Sequence, residues 1–234
     1  MKINASNQPE IASGTHVSEA LKQGHKNYLV LLSGGSALSV LDSIDNAVLG
    51  PHITFMMADE RFSDDPKINN YLQFTQTELY RQVGESGAKT INSVPDPKKG
   101  SSEETALSIE KTFEYYFKVH EDCYVLALMG IGEDGHIAGI FPKKSVGDFS
   151  QKFITNTLYI SVHEKENKHQ ERMTITPYFI KKHVNEIVIF ASGKNKCNGI
   201  LQQLQNTDSS EHEVPALMLS RHKNATLYTD CTSL

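Results

Sequence analysis

At 234 residues, with 38% hydrophobic and 22% charged residues, the chain has the composition of an ordinary globule, which excludes a disordered, collagenous or coiled-coil polymer. That length suits one domain, residues 1–234, with a core of its own, so no protein partner is expected for folding. A net charge of −5 argues against a nucleic-acid surface, so any anionic ligand must be attracted by local groups.

The chain opens Met1, Lys2, Ile3, Asn4 without the apolar core of a signal peptide, and the cytoplasm is the expected compartment. Tyr28 to Leu32 reads as a buried strand that stops at Ser33-Gly34-Gly35-Ser36, and Leu38, Leu41 and Ile44 follow at helical spacing. Ile53 to Met57 repeats the pattern, ending at Ala58-Asp59-Glu60-Arg61 before a helix over about Asn70 to Val83. A helix over roughly Glu103 to Val119 precedes the strand Tyr124 to Met129, which ends at Gly130-Ile131-Gly132-Glu133-Asp134-Gly135-His136. The longest apolar run, Cys123 to Ile131, is far shorter than the roughly 20 residues a bilayer requires, so no membrane span is expected. Lys152 to Val162 reads as strand, and His163 to Glu171 as a charged loop, solvated or acting as a lid. Ile187 to Phe190 is a strand ending at Ser192-Gly193-Lys194-Asn195-Lys196, with a helix to about Leu204, and Ala225 to Tyr228 is a last strand. Cys123, Cys197 and Cys231 are an odd number without a CxxC pair, which suggests buried free thiols rather than a disulfide framework or a zinc cluster.

Apolar strands alternating with helices predict an α/β fold in three layers, a mostly parallel sheet with helices on both faces. Glycines, carboxylates, Arg61, His136 and Lys196 recur just beyond the carboxyl ends of strands, where open α/β sheets bind ligands. Ser33-Gly34-Gly35-Ser36 fits a phosphate cradle of exposed N–H groups, and equally a tight turn with a serine cap. Asp134 and His136, at i and i+2, can form a carboxylate-oriented imidazole that takes a proton from water, or a helix cap. Asp59-Glu60-Arg61 reads as an ion-paired turn when taken alone. Arg172 and Lys196 are candidate phosphate cations. His163, His169 and His183 lack metal-ligand spacing and read as surface residues. Gly130 to Gly135 matches GxGxxG literally, but no acid stands at the end of a following strand, and Glu133 and Asp134 would repel a pyrophosphate.

Taken in order, these motifs resemble the family of 6-phosphogluconolactonases and glucosamine-6-phosphate deaminases and isomerases. The matching stretches are Leu32 to Ser36, Ala58 to Arg61 with Asn69-Asn70-Tyr71, Gly130 to His136 through Phe141-Pro142, Glu171 to Ile175, Ser192 to Lys196 and Pro215-Ala216. The resemblance implies a single Rossmann-like domain that hydrolyses 6-phospho-D-glucono-1,5-lactone in the pentose phosphate pathway, with a small-molecule sugar phosphate as its partner, no organic cofactor and no metal. It also implies roles. Ser33, Gly34, Gly35 and Ser36 with Arg172 and Lys196 hold the phosphate, and His136 is the base. Asp134 and Asp59 orient the imidazole or the sugar, and Arg61 stabilises the oxyanion. The chain departs from the lactonase pattern at Ile137 and Gly139, where Thr and Ser are usual, and at Lys165 to Gln170, which replaces a proline-rich stretch. It departs from the deaminase pattern at Phe141, where a glutamate is expected. A deaminase or isomerase using Asp59 as base, and a sugar-phosphate sensor without turnover, are the competing readings.

Overall fold

The computed structural model describes residues 1–205, 208–232 and 234. The first third of the chain holds β1 (Lys2–Ala5), α1 (Pro9–Leu21), β2 (Tyr28–Leu32), β3 (Ile53–Met57), β4 (Asp59–Arg61), α2 (Asn70–Phe74), α3 (Glu78–Ser86) and β5 (Lys89–Thr90). Next come α4 (Ser102–Val119), β6 (Tyr124–Gly130), α5 (Val146–Phe153), β7 (Tyr159–His163) and β8 (Glu171–Ile175). The rest is α6 (Pro177–His183), β9 (Glu186–Phe190), α7 (Lys194–Asn198), α8 (Ile200–Gln203), α9 (Leu217–Ser220) and β10 (Ala225–Thr229).

Seven strands form one sheet in the order β1-β10-β9-β6-β2-β3-β5, with every neighbouring pair parallel. The central strands are buried along their length, and their side chains alternate between two cores. Leu29, Leu31, Val125, Ala127 and Met129 pack with Ala106, Ile109 and Phe113 of α4 on one face. Tyr28, Val30, Leu32, Leu126 and Leu128 pack with Val17 and Leu21 of α1 on the other. Each fully buried Leu or Val contributes about 1.5–3 kcal/mol, so both faces need their helices. The expected α/β class is therefore the observed one. No helix among the described residues is long and apolar enough to cross a membrane.

Several local expectations are corrected. The segment after the first glycine turn is a 3-10 helix, Gly35–Ser43, rather than an α-helix. Serine hydroxyls compete for backbone partners there, as Ser39 Oγ does by donating to the Ser36 carbonyl. The helix expected from Asn70 to Val83 is two, because Thr75 and Thr77 donate to the carbonyls of Leu72 and Phe74 and Thr77 then caps α3. The stretch from Lys194 to Leu204 likewise breaks at Gly199. Lys152 and Phe153 end α5, which buries Phe149 and Phe153 at i and i+4, so only Tyr159–His163 of the expected strand is extended.

Two corrections bear on the ligand site. Asp59, Glu60 and Arg61 form a strand of their own, β4, in a three-stranded antiparallel sheet ordered β4-β8-β7. Cys197 and Cys231 are not free thiols. They form a disulfide, because α7 and the segment just after β10 bring their Cα atoms to 5.5 Å across 34 residues of chain, leaving Cys123 as the free cysteine.

Candidate active site

The carboxyl ends of β9, β6 and β2 are neighbours in the sheet, so the loops after them converge. They enclose a cavity of about 280 Å³ lined by Ser33, Gly34, Gly35 and Ser36 from the first turn and by Gly130 to Glu133, His136 and Ala138 from the second. Lys196 enters from α7, and Asp59, Arg61 and Arg172 from the antiparallel sheet. Asp134 is the one sequence-derived candidate outside this lining. It faces a second, larger cavity and reaches the first through His136.

The imidazole is held by its own loop. Asp134 Oδ1 lies 2.5 Å from His136 Nδ1 and also accepts from the His136 backbone N–H, which leaves Nε2 as the nitrogen not engaged by the carboxylate. Burial, the largest single influence, pushes the Asp134 carboxyl up, but the hydrogen bonds and charge of His136 outweigh it and hold the acid below the usual carboxylate range. Gly132 is required by close approach, since a Cβ there would overlap the imidazole and stand 2.7 Å from Asp134 Oδ1. Gly135, at φ +85°, turns the loop back so that its N–H donates to the Gly132 carbonyl.

Cations dominate the opposite wall. Register pairs Arg61 directly with Arg172 across β4 and β8, a like-charge pair that is unfavourable without an anion nearby. Arg172 Nη1 donates to Asp59 Oδ2 at 3.0 Å, and Arg61 Nη1 donates to the Ile68 carbonyl. Among the described residues the Nε–H groups of both arginines are buried without a partner. Lys196 Nζ stands 3.4 Å from Ser36 Oγ; burial pushes its pKa below the usual lysine range, opposed by the nearby Glu133 carboxylate. The loop after Ser33 has no side-chain cap, so its serines are not spent as a helix cap.

Four contributors carry no role in the sequence reading. Asn70 is buried; its Nδ2 donates to the Asp59 carbonyl at 2.9 Å and to Asp59 Oδ1 at 3.3 Å, while its own Oδ1, without a partner among the described residues, lies against Gly34. Glu60 accepts backbone N–H groups of Arg61, Asn70 and Tyr71 and so ties β4 to α2, and burial pushes its carboxyl up to about 7 against those donors. Phe141 packs 4.8 Å from the His136 ring and under the Arg172 guanidinium at 5.1 Å. Glu133 accepts from Asn195 and places a carboxylate on the cavity wall. All four lie in stretches that carry the family resemblance, Asn70 in Asn69-Asn70-Tyr71, Glu60 in Ala58 to Arg61, Glu133 in Gly130 to His136 and Phe141 in Phe141-Pro142, but those motifs do not tell what each side chain touches. The departures at Ile137 and Gly139 form a tight turn, with Gly139 N–H donating to Thr174 Oγ1 where a Cβ would press to 2.8 Å from Thr174 Cβ. The expected charged loop is shorter at both ends, because His163 and Glu171 pair as the last and first residues of β7 and β8; residues 164–170 join the strands, and Glu164 bridges Lys143 and Lys152 beside the second cavity.

A model of the family described as glucosamine-6-phosphate isomerases/6-phosphogluconolactonase matches residues 12–228. The chain belongs to this family. Among relatives of the glucosamine-6-phosphate isomerase/6-phosphogluconolactonase family, the 6-phosphogluconolactonase of Chlamydia trachomatis is 26% identical over 195 residues, covering 80% of this chain and 70% of the relative. The probable 6-phosphogluconolactonase 1 of Arabidopsis thaliana is 26% identical over 217 residues, covering 83% and 75%. The fold is similar to that of the 6-phosphogluconolactonase of Plasmodium vivax, with a TM-score of 0.75 at 16% identity over 97% of this chain and 88% of that one. It is similar to a monomeric glucosamine-6-phosphate deaminase too, with a TM-score of 0.73 at 18% identity over 100% of both chains. The family thus spans lactone hydrolysis and amino-sugar chemistry, and the site must discriminate between them.

Proposed function

We propose that the protein hydrolyses 6-phospho-D-glucono-1,5-lactone to 6-phospho-D-gluconate, the lactonase step of the pentose phosphate pathway. The observation that carries this reading is the Asp134–His136 pair opening, through His136, on the same cavity as the Ser33–Ser36 turn and Lys196. The cavity, about 280 Å³, is of the size of one phosphorylated sugar. The phosphate lies against the N–H groups of Gly34 to Ser36 and the Lys196 ammonium, which points the ring toward His136. His136 Nε2 takes a proton from water as the oxygen attacks C1, and Asp134 holds the imidazolium that forms. Negative charge grows on the carbonyl oxygen beside the Arg61 guanidinium, which is fixed before the reaction and contributes roughly 2.7–4 kcal/mol, while Arg172 joins Lys196 at the phosphate. Collapse breaks the C1–O5 bond, and the imidazolium returns its proton to O5.

The deaminase reading requires a carboxylate to remove a carbon-bound proton. Asp59 is committed to Arg172 and Asn70, and Phe141 gives His136 an apolar neighbour where the deaminase pattern has a glutamate. Freshly generated 6-phosphogluconolactone and glucosamine 6-phosphate, followed for acid and ammonia release, separate the two. Acid release above the spontaneous rate without ammonia is expected. Ammonia release, or acid release at the spontaneous rate, refutes the assignment.

A further inference from the structure

The disulfide lies one residue from the phosphate cation. Cys197 follows Lys196 on α7, Cys231 follows β10, and their bond ties the short helix carrying Lys196 to the last strand of the sheet. Apart from the disulfide, the tie at this corner is polar and exposed, the Gly193 N–H donating to Asp230 Oδ1 at 2.9 Å. Within α7 no side chain is fully buried: Cys197 packs against the edge of the core, and the next anchor along the chain is Ile200 of α8, four residues past Lys196. Cys197 is partly exposed while Cys231 is buried, which makes the former the more accessible residue to a small reagent. We propose that Cys197 and Cys231 are a reversible thiol–disulfide modification site, taking low-molecular-weight disulfides and thiols as its reactants, whose oxidised form holds Lys196 at the phosphate turn.

Oxidation runs by exchange. The Cys197 thiolate attacks a small disulfide, forming a mixed disulfide and expelling one thiolate. The Cys231 thiolate then attacks Cys197 Sγ and expels the second. Two protein thiols lose two electrons and two protons, and one small disulfide leaves as two thiols. A dithiol reverses the sequence and is itself oxidised to a disulfide. The Asp230 carboxylate, 3.7 Å from Cys197 Sγ and 3.9 Å from Cys231 Sγ, disfavours thiolates at this corner and so slows both directions. Cys123 does not compete, since its thiol is turned into the core beside Tyr116 and burial pushes its pKa up to about 11.

This proposal rests on the reading of Lys196 as a phosphate contact, and its test separates the two. Wild type and Cys231→Ser are treated with glutathione disulfide or with dithiothreitol, then assayed on the lactone and titrated calorimetrically with 6-phosphogluconate. A chelator is present because the two sulfurs and Asp230 stand close enough to share a metal ion once reduced. Thiol titration should find three thiols in the reduced wild type and the single Cys123 in the oxidised form. Reduction should raise KM and the Kd of 6-phosphogluconate about tenfold with kcat little changed, the lower end of what losing one charge-assisted contact costs. Cys231→Ser should stay at the reduced value in dithiothreitol, and in glutathione disulfide it should carry one mixed disulfide at Cys197 without gaining the KM and Kd of the oxidised wild type. Equal KM and Kd in the two wild-type forms, or three thiols persisting after oxidation, overturns the proposal. A Cys231→Ser protein that gains the KM and Kd of the oxidised wild type in glutathione disulfide overturns it too. Redox-dependent binding without lactone hydrolysis leaves the switch standing and removes only the lactonase assignment.

Discussion

Alanine at position 34 probes how the phosphate turn and Asp59 are held together. Gly34 has φ −76° and ψ −169°, a conformation any residue adopts, so backbone strain gives no reason for a glycine here. The reason is Asn70, whose carboxamide occupies the space a Cβ would fill. Gly34→Ala must therefore displace that carboxamide and break its bonds to the Asp59 carbonyl at 2.9 Å and to Oδ1 at 3.3 Å, within a fully buried site. At roughly 0.5–1.5 kcal/mol per bond, the longer one near the lower limit, the loss is about 2 kcal/mol. That corresponds to a fall of about 4–8 °C in Tm for a chain of this size. Asn70→Ala gives up the same bonds and also empties the space, so Gly34→Ala should add little in that background. Urea unfolding of the four proteins in this cycle should yield a coupling of about 2 kcal/mol, with kcat/KM falling in parallel as Asp59 loses its support. Costs that simply add would refute the steric account and assign Gly34 to the ligand alone.

His136→Asn should lower kcat at least about 10²-fold while 6-phosphogluconate still binds, and near-normal turnover in steady-state assays would remove the general-base role. Lys196→Ala should cut kcat/KM for the phosphorylated lactone roughly tenfold to a hundredfold and leave any hydrolysis of unphosphorylated gluconolactone nearly unchanged. Because burial lowers the Lys196 pKa, its charge is lost at lower pH than for an exposed lysine, so KM should rise with pH below the ordinary lysine range. Lys196→Arg, charged throughout, should flatten that limb of the KM profile. Glu60 has a folded pKa raised from 4.5 to about 7, so the folded state binds the extra proton. The stability Glu60 contributes is present below 4.5 and lost as pH rises through about 7, which urea midpoints across that window should register. Glu60→Gln should remove this slope yet cost about 1–3 kcal/mol, because an amide N–H₂ would face the backbone donors that the carboxylate accepts.

What was legible in the sequence is what local periodicity and turn chemistry encode. Buried strands such as Tyr28 to Leu32 read directly as apolar runs, and glycines, acids and cations recurring after their carboxyl ends marked where a ligand cavity had to form. Contacts made across long stretches of chain had no such signal. Arg61 meets Arg172 only because β4 pairs with β8 in one register, and nothing in Asp59-Glu60-Arg61, which reads as an ion-paired turn, shows that it is extended. Cys197 and Cys231 lie 34 residues apart, and their pairing depends on where β10 ends relative to α7. The same limit separated motif from role at Asn70. Its place beside Tyr71 was recognisable as a pattern, but its work consists of touching Gly34 from one strand end and Asp59 from another. That contact explains why a glycine turn and an acidic strand recur together: the turn's close approach is to a protein amide at Gly34. The like-charged pair Arg61 and Arg172 is left as the part of the cavity wall that still calls for an anion.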